Sequence, residues 1–332
     1  MKATTNRSYG SPDVLSIEEV ARPIPGDSEI LVEVFASPVT QGDRRLRSAD
    51  FPGISSVFGR LMMGVRRPKN VIPGTMFSGR VVAVGPAVTR FVEGEDVFGS
   101  CDHSAHAEYL TVAEDGNIAH MPASLSHAEA AAVPYGAVTA LLFLRDHTTL
   151  VPGQHVLVLG AAGGVGRFAV QIARHMGAKV TGVCSARDAE LVRQLGAHEV
   201  LDYASIDYAS TGERYDVIFD TPDVSSFQHA RGALTQVGRY LSLHLSMLVL
   251  FQMLFTSLRK GPRAIFGLAF GTQADLEQVR DLVQIGAITP VVARCLPMAQ
   301  VAQAHSILED ERPSGAVMLT MATAEPALRL AQ

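Results

Sequence analysis

The sequence predicts an α/β protein: a doubly wound parallel sheet beside a smaller, mostly antiparallel β domain. Three observations lead there. The stretch from His155 to Tyr203 alternates short apolar β-forming runs with helical ones. HVLVL is followed by a glycine-rich break and a helix closed by Gly177, then KVTGVC, a helix Ala189–Leu195 closed by Gly196, and a third strand at Glu199–Asp202. A further buried run, Tyr215–Asp220 (YDVIFD), repeats the strand signal. From Val14 to about Val112 the chain is rich in alternating strands punctuated by Gly and Pro: ILVEVFASPV, MFSGRVVAVG, EDVFGS and AEYLTV.

Bulk properties narrow the function classes. A chain of 332 residues suffices for two domains with substantial cores. With 47% hydrophobic and 18% charged residues it is globular and not disordered. A net charge of −5 and the lack of a Lys/Arg run leave no electrostatic footprint for nucleic acid. The three cysteines, Cys101, Cys184 and Cys295, form neither a CxxC pair nor a disulfide framework. The opening MKATTNRSYG holds no apolar signal segment, so a cytoplasmic protein is expected.

The turn Gly160-Ala161-Ala162-Gly163-Gly164-Val165-Gly166 separates the first strand from its helix. A helix N-terminus offers a pyrophosphate free backbone N–H groups and the positive end of its dipole. Side chains would hold a phosphate away, so Gly163 and Gly164 leave the backbone bare, and Gly166 lets the helix lie close on the strand. Many βα turns are glycine-rich for structural reasons alone. This one follows a strand, opens a helix and sits in a complete β-α-β-α-β unit, as a dinucleotide fingerprint requires. Gly160, Ala162, Gly163, Gly164, Val165 and Gly166 are therefore expected to bind cofactor.

The choice of cofactor turns on the tip of the second strand. A carboxylate there would bond the ribose of NAD, but the tip reads Val183-Cys184-Ser185. Ser185 and Arg187 can bond a 2′-phosphate, Arg187 with a charged fork, so NADP(H) is expected over NAD(H). Asp188 beside them argues the other way, and the same residues would also suit an ordinary solvated helix opening. Strand ends on this edge face the cofactor, which adds Asp220 and Thr221.

The GAAGGVG turn, the LGAHEVLDY segment and the DVIFDT strand together resemble the medium-chain dehydrogenase/reductase superfamily. Within it the chain is similar to the zinc-independent quinone oxidoreductase and enoyl reductase branch, from Lys2-Ala3 to the strand near Val317. The resemblance implies a GroES-like β-barrel catalytic domain over residues 1–123 and 272–332, and a Rossmann coenzyme domain over 124–271. It places Thr139 near the nicotinamide and Tyr203 against the adenine-side phosphate. It also implies a homodimer joined at the edge strand Ala264–Phe270. Relatives carry Gly-Lys before the last strand, where this chain has Ser314-Gly315-Ala316.

Zinc-dependent relatives supply a Cys after the strand matching Val32–Ala36, a His-Glu pair, and a Cys before the coenzyme domain. Here those slots hold Thr40, Thr75-Met76 and Tyr135, none a usual zinc ligand, and His103 and His106 make only a loose pair. No metal is expected. Without that Lewis acid, alcohol–aldehyde interconversion loses its electrophile. Hydride transfer from NADPH to the C=C of an α,β-unsaturated carbonyl, or to a quinone, stays feasible.

The catalytic candidates are Tyr135, Asp43 and Thr40, with Gln41 and His106 near them. Tyr135 falls at the third ligand slot and either points at the pocket or packs a domain junction. Asp43 matches an Asp in relatives and would otherwise cap the following segment; His106 is expected to line the pocket. Metal-free ketone or alcohol redox, and NADPH binding without turnover, are the competing readings.

The remaining segments complete the outline. Phe51, Phe58, Met62 and Met63 lie on Leu46–Asn70, a stretch that overhangs the cleft in related enzymes and suits a hydrophobic small-molecule substrate. Arg66, Arg67 and Lys69 read as a solvated patch. Ser126–Leu144 reads as helix, Pro break, helix, with Ser126 and Glu129 as a capping box. Gly238–Leu245 reads as a strand. Leu245–Arg259 is very apolar but falls short of the ~20 residues of a span and is interrupted by Gln252, so it is expected to cover the cleft or a dimer face, with no membrane partner. A helix over Gln273–Gly286, a strand at Ile288–Val292, a helix at Met298–Leu308 and a strand at Ala316–Met321 come next, then a loose tail from Ala322.

Overall fold

The computed structural model describes residues 1–50, 59–61, 63–269 and 271–321. Phe51, Phe58, Met62, Phe270 and the tail from Ala322 lie outside the described residues.

β1 (Lys2–Asn6) and β2 (Leu15–Glu19) form an antiparallel ribbon. β3 (Glu29–Val39), β4 (Met76–Val84), β5 (Asp96–Ser100), β6 (Tyr109–Ala113) and β7 (Ile118–His120) make an antiparallel sheet in which β3 pairs with both β4 and β6. β3 can do this because its pairing with β4 shifts register twice, at Leu31/Val32 and Val34/Ala36, which bends the strand around its core. That core interlocks Val32, Val34, Phe77, Val81, Val97, Leu110 and Ile118.

β8 (His155–Leu159), β9 (Lys179–Cys184), β10 (Glu199–Asp202), β11 (Tyr215–Asp220), β12 (Leu234–Ser242) and β13 (Arg263–Phe266) are all parallel, in the order β10-β9-β8-β11-β12-β13. The chain starts at mid-sheet, runs to one edge and crosses back, which opens a crevice above the carboxyl ends of β8 and β11. β8 is an unbroken apolar run because both its faces are covered: Val156 and Val158 join one core, Leu157 and Leu159 the other. β12 begins at Leu234, before the predicted Gly238, because Leu234 already pairs with Tyr215 ahead of a register shift.

β14 (Val292–Pro297) and β15 (Ala316–Thr320) return to the first sheet, β15 against β3 and β14 outside it. The strand predicted at Ile288–Val292 is thus displaced. Pro290 offers no N–H for pairing, and Arg294 and Cys295 on this edge strand are exposed, so the true strand lacks an apolar signature. The bridge is the helix His127–Ala131 followed by Pro134–Leu142, and the first carries the predicted capping box between Ser126 and Glu129. The helix Gln273–Gln284 buries Leu276, Val279 and Val283 in the core that also holds Val156 and Phe168 of the parallel-sheet domain.

Candidate active site

The glycine turn is shaped by close approach. Gly160 adopts φ 70°, a left-handed conformation that favours glycine. A Cβ on Gly166 would fall 2.1 Å from the Gly160 carbonyl oxygen, so only glycine lets the helix Gly166–His175 start so near β8. Gly164 is the opposite case: nothing stands within 4 Å of where its Cβ would be. Gly163 and Gly164 are exposed, while Val165 is buried and Ala162 half-buried. The turn therefore presents bare backbone, and the first turn of the helix leaves N–H groups without intrahelical partners.

At the neighbouring strand tip, Ser185 donates to Asp188 Oδ2 at 2.6 Å, and Arg187 Nε lies 3.4 Å from Asp188 Oδ1. Ser314, just before the last strand, also donates to Asp188. The Asp188 carboxylate is turned inward, its side chain 9% exposed, whereas the Arg187 side chain is 61% exposed. The hydrogen bonds from Ser185, Ser314 and Arg187 outweigh burial and hold the Asp188 carboxyl below its ordinary range. Sequence reasoning missed Arg167, which is buried in the first helical turn. Burial pushes its guanidinium down to about 10, against the opposing charge of Asp188. The available signal was a cation where the helix dipole favours an anion. Tyr203 follows β10, donates its N–H to the Cys184 carbonyl, and is exposed.

Two residues expected at the strand ends part company. Thr221 borders the glycine turn, its Oγ1 donating to the Leu159 carbonyl at 2.9 Å. Asp220 is fully buried and accepts from Tyr240 Oη at 2.7 Å and from the N–H groups of Val224 and Ser225. Its carboxylate ties down the loop after β11 and does not face the crevice, so the expectation of a cofactor contact from Asp220 is corrected.

The bridging helix Pro134–Leu142 links the glycine turn to a cavity. Gly136 has no space for a side chain, since its Cβ would sit 2.2 Å from the Gly164 carbonyl oxygen. Beside it, Tyr135, Val138 and Thr139 line a cavity of 460 Å³ together with Met76, Cys101 and Ala269. Thr139 Oγ1 donates to the Tyr135 carbonyl at 2.7 Å. The Tyr135 hydroxyl has no hydrogen-bond partner among the described residues. Burial raises its pKa, Arg45 opposing and Asp43 reinforcing the shift, so the phenol keeps its proton. Cys101 is no nucleophile: burial, then the charges of Asp43 and Asp102, push its thiol up to about 12.

Thr40 and Asp43 are engaged in a capping box that starts the helix Gln41–Ser48. Asp43 Oδ2 accepts from Thr40 N at 2.8 Å and Thr40 Oγ1 at 2.6 Å, while Thr75 Oγ1 lies 3.5 Å from Oδ1. The cap positions Arg45, a residue the sequence did not single out. Arg45 Nη2 reaches across the crevice to His244 Nε2 at 2.7 Å, and His244 Nδ1 lies 4.0 Å from Asp223. Burial lowers the His244 pKa and Arg45 adds to it, so the neutral ring accepts from the guanidinium. Asp223 itself holds φ 62°, a strained conformation for a residue with a side chain. The one hint in the sequence was a lone His at the carboxyl end of an apolar strand. His106, expected to line the pocket, is instead fully buried and donates from Nε2 to the Pro38 carbonyl at 3.1 Å. It packs where Gly74 leaves no room for a Cβ, which corrects that expectation.

Known proteins share this two-part layout. The alcohol dehydrogenase GroES-like domain family matches residues 26–142, and the zinc-binding dehydrogenase family matches residues 195–319. A 2-methylene-furan-3-one reductase of Solanum lycopersicum is 30% identical over 96% of this chain and 79% of its own. The quinone oxidoreductase of Sus scrofa is 29% identical, over 97% of this chain and 98% of its own. The quinone oxidoreductase of Escherichia coli, solved in complex with NADPH, shares the fold: TM-score 0.81 at 24% identity, over 96% of this chain and 100% of that one.

A zinc ion asks for three nitrogen, sulfur or carboxylate donors. Among the described residues no group of three or more His, Cys, Asp or Glu is placed to hold a metal. The residues present do not fit the zinc in the second family's name. With two domains matched in chain order, and full-length relatives on both sides of the comparison, the chain belongs to the medium-chain dehydrogenase/reductase superfamily, in its quinone oxidoreductase-like branch, and is an oxidoreductase.

Proposed function

We propose that the protein is a zinc-free reductase that uses NADPH to reduce a C=C bond conjugated to a carbonyl, or a quinone. One observation carries the reading: a single helix joins the bare glycine turn to the cavity, through Gly136 on one side and Tyr135 and Thr139 on the other. The Gly163–Gly166 backbone would hold the diphosphate of a dinucleotide, and Thr139 would stand at its nicotinamide end. NADPH, when bound, supplies the hydride. The protein's own groups do the rest. The Tyr135 hydroxyl, kept protonated, would donate to the carbonyl oxygen as it gains negative charge, and the Arg45 guanidinium, held by His244, is close enough to act electrostatically on that phenol. Met76, Val138 and Ala269 give the cavity an apolar wall that suits a hydrophobic substrate.

Preference for NADPH rests on Arg187, which projects outward while the Asp188 carboxylate is turned in. A cytoplasmic homodimer joined along the edge strand β13 completes the proposal; the Ala264 and Phe266 N–H groups already donate to Thr256 Oγ1 and Met253 Sδ, so side chains of this edge would carry the contact. The experiment is product analysis with NADPH or NADH and a panel of enone, quinone and saturated ketone. A saturated carbonyl or a hydroquinone, formed faster with NADPH, supports the reading. An alcohol from the ketone, or no turnover with any acceptor, overturns it.

A further inference from the structure

Arg167 stands in the first turn of the helix Gly166–His175 and is only 5% exposed. Its neighbour one turn on explains the burial. Gln171 exchanges hydrogen bonds with the Thr289 backbone, Nε2 donating to the carbonyl at 3.1 Å and Oε1 accepting from N at 2.8 Å. The segment that returns to the first sheet therefore covers this face of the helix. The guanidinium keeps its charge there, since burial lowers its pKa only to about 10. Its Nε has no hydrogen-bond partner, and the ion pair of Asp188 is made with Arg187 instead. A buried cation matched so poorly is costly until an anion joins it.

The charge that acts on Arg167 is Asp188, and that carboxylate is engaged at both oxygens. Oδ2 accepts from Ser185, and Oδ1 accepts from Ser314 and, at 3.4 Å, from Arg187 Nε. Asp202, at the end of the neighbouring β10, is spent on the turn after it, accepting from Ala204 N at 3.1 Å and Ser205 Oγ at 3.2 Å. Arg187 also donates from Nη2 to the Arg312 carbonyl at 2.8 Å. Two guanidinium groups thus act on the single Asp188 carboxylate at the tip of β9, which leaves positive charge in excess.

We propose that Arg167 is the buried second cation of a subsite for the 2′-phosphate of NADPH, with Arg187 on its solvent side and Asp188 as the counter-ion between them. The inference rests on the NADPH reading above and adds a specificity-determining residue to it. A phosphate monoester carries about 1.5 to 2 negative charges at neutral pH, enough to match the excess. NADH offers only a hydroxyl there and leaves Arg167 as poorly matched as before. Asp188 also takes a new role. Ser185 and Ser314 hold its carboxylate inward, so it keeps the two cations in place and does not meet the phosphate. Ser314 and the Arg312 carbonyl come from the segment that returns to the first sheet, so the subsite is completed across the seam between the domains.

The test is titration calorimetry of the full chain with NADPH and with NADH, which reads binding without turnover. Wild type is expected to prefer NADPH. Arg167→Met weakens NADPH about thirtyfold, the loss expected for a hydrogen bond to a charged group, and holds NADH within about twofold. Asp188→Asn acts the other way and tightens NADPH about fivefold, because the two cations lose their internal competitor. The retained NADH affinity shows that both variants are folded. An Arg167→Met variant with wild-type NADPH affinity overturns the proposal, as does weaker NADPH binding by Asp188→Asn. Equal weakening of both dinucleotides by Arg167→Met also overturns it, because the guanidinium then serves the diphosphate they share. Those three outcomes leave the NADPH reading standing; a wild type that binds the two dinucleotides equally contradicts that reading and the subsite together.

Discussion

Arg45 makes its strongest contact with a histidine 199 residues further along the chain. Nothing local in either segment announces that pairing, which is why Tyr135 was legible in the sequence and its electrostatic neighbour was not. If Arg45 acts on the Tyr135 phenol that donates to the developing oxyanion, Arg45→Met lowers kcat/KM for an enone by about a hundredfold, leaves dinucleotide affinity unchanged, and is partly rescued by Arg45→Lys. Steady-state kinetics with calorimetry checks this; an unchanged kcat/KM removes Arg45 from the chemistry. A second residue-level prediction concerns His305, fully buried beside His106 and Arg47. Burial, with the charges of His106 and Arg47, pushes its pKa from 6.5 down to about 2. The ring is neutral in the fold and titrates normally in the unfolded chain, so protons favour unfolding. This part of the stability is present above pH 6.5 and is lost as pH falls toward 2. His305→Gln therefore loses about 2 kcal/mol less between pH 6.5 and 5 than wild type, as read by urea unfolding at each pH.

Among the elements, the glycine turn separates two roles that one motif combines. Gly166→Ala drives a Cβ to 2.1 Å from the Gly160 carbonyl oxygen and costs about 3 kcal/mol of stability. Gly164→Ala meets nothing within 4 Å, so it keeps the wild-type melting temperature and weakens NADPH binding. Thermal unfolding and calorimetry on the pair distinguish them; equal loss of stability in both would leave the turn a purely structural device. Thr40→Ala, which removes the cap placing Arg45, costs about 1 kcal/mol. The sequence located β8, β9 and β11 without error because each is a largely buried apolar run bounded by Gly or a helix signal, and the edge strand β10 because Gly196 ends the helix just before it. β14 escaped because it is a short edge strand with exposed side chains, and β12 because its first residues pair across a register shift. Asp220 was misread for a related reason. The rule for strand ends locates the residue but not the direction of its side chain, which here turns to Tyr240.

At the scale of the whole molecule, two sheets meet along one bridging helix, and every group proposed for chemistry lies on that seam. The parallel sheet supplies the turn and His244, the first sheet and its cap supply Arg45, and the bridge supplies Tyr135 and Thr139. A ligand bound across the seam stabilises both halves together. Saturating NADPH at about a hundred times Kd is expected to add about 2.7 kcal/mol, seen as one cooperative transition moved to higher temperature. Two transitions, of which only one moves, would show that the halves are not coupled through the cofactor. The most direct measurement tracks the hydride itself: turnover of an enone with NADPH deuterated at nicotinamide C4, and mass spectrometry with NMR of the product. The account predicts a saturated carbonyl carrying the deuterium on its β-carbon. Deuterium on the carbonyl carbon of an allylic alcohol, or a product without label, would contradict it.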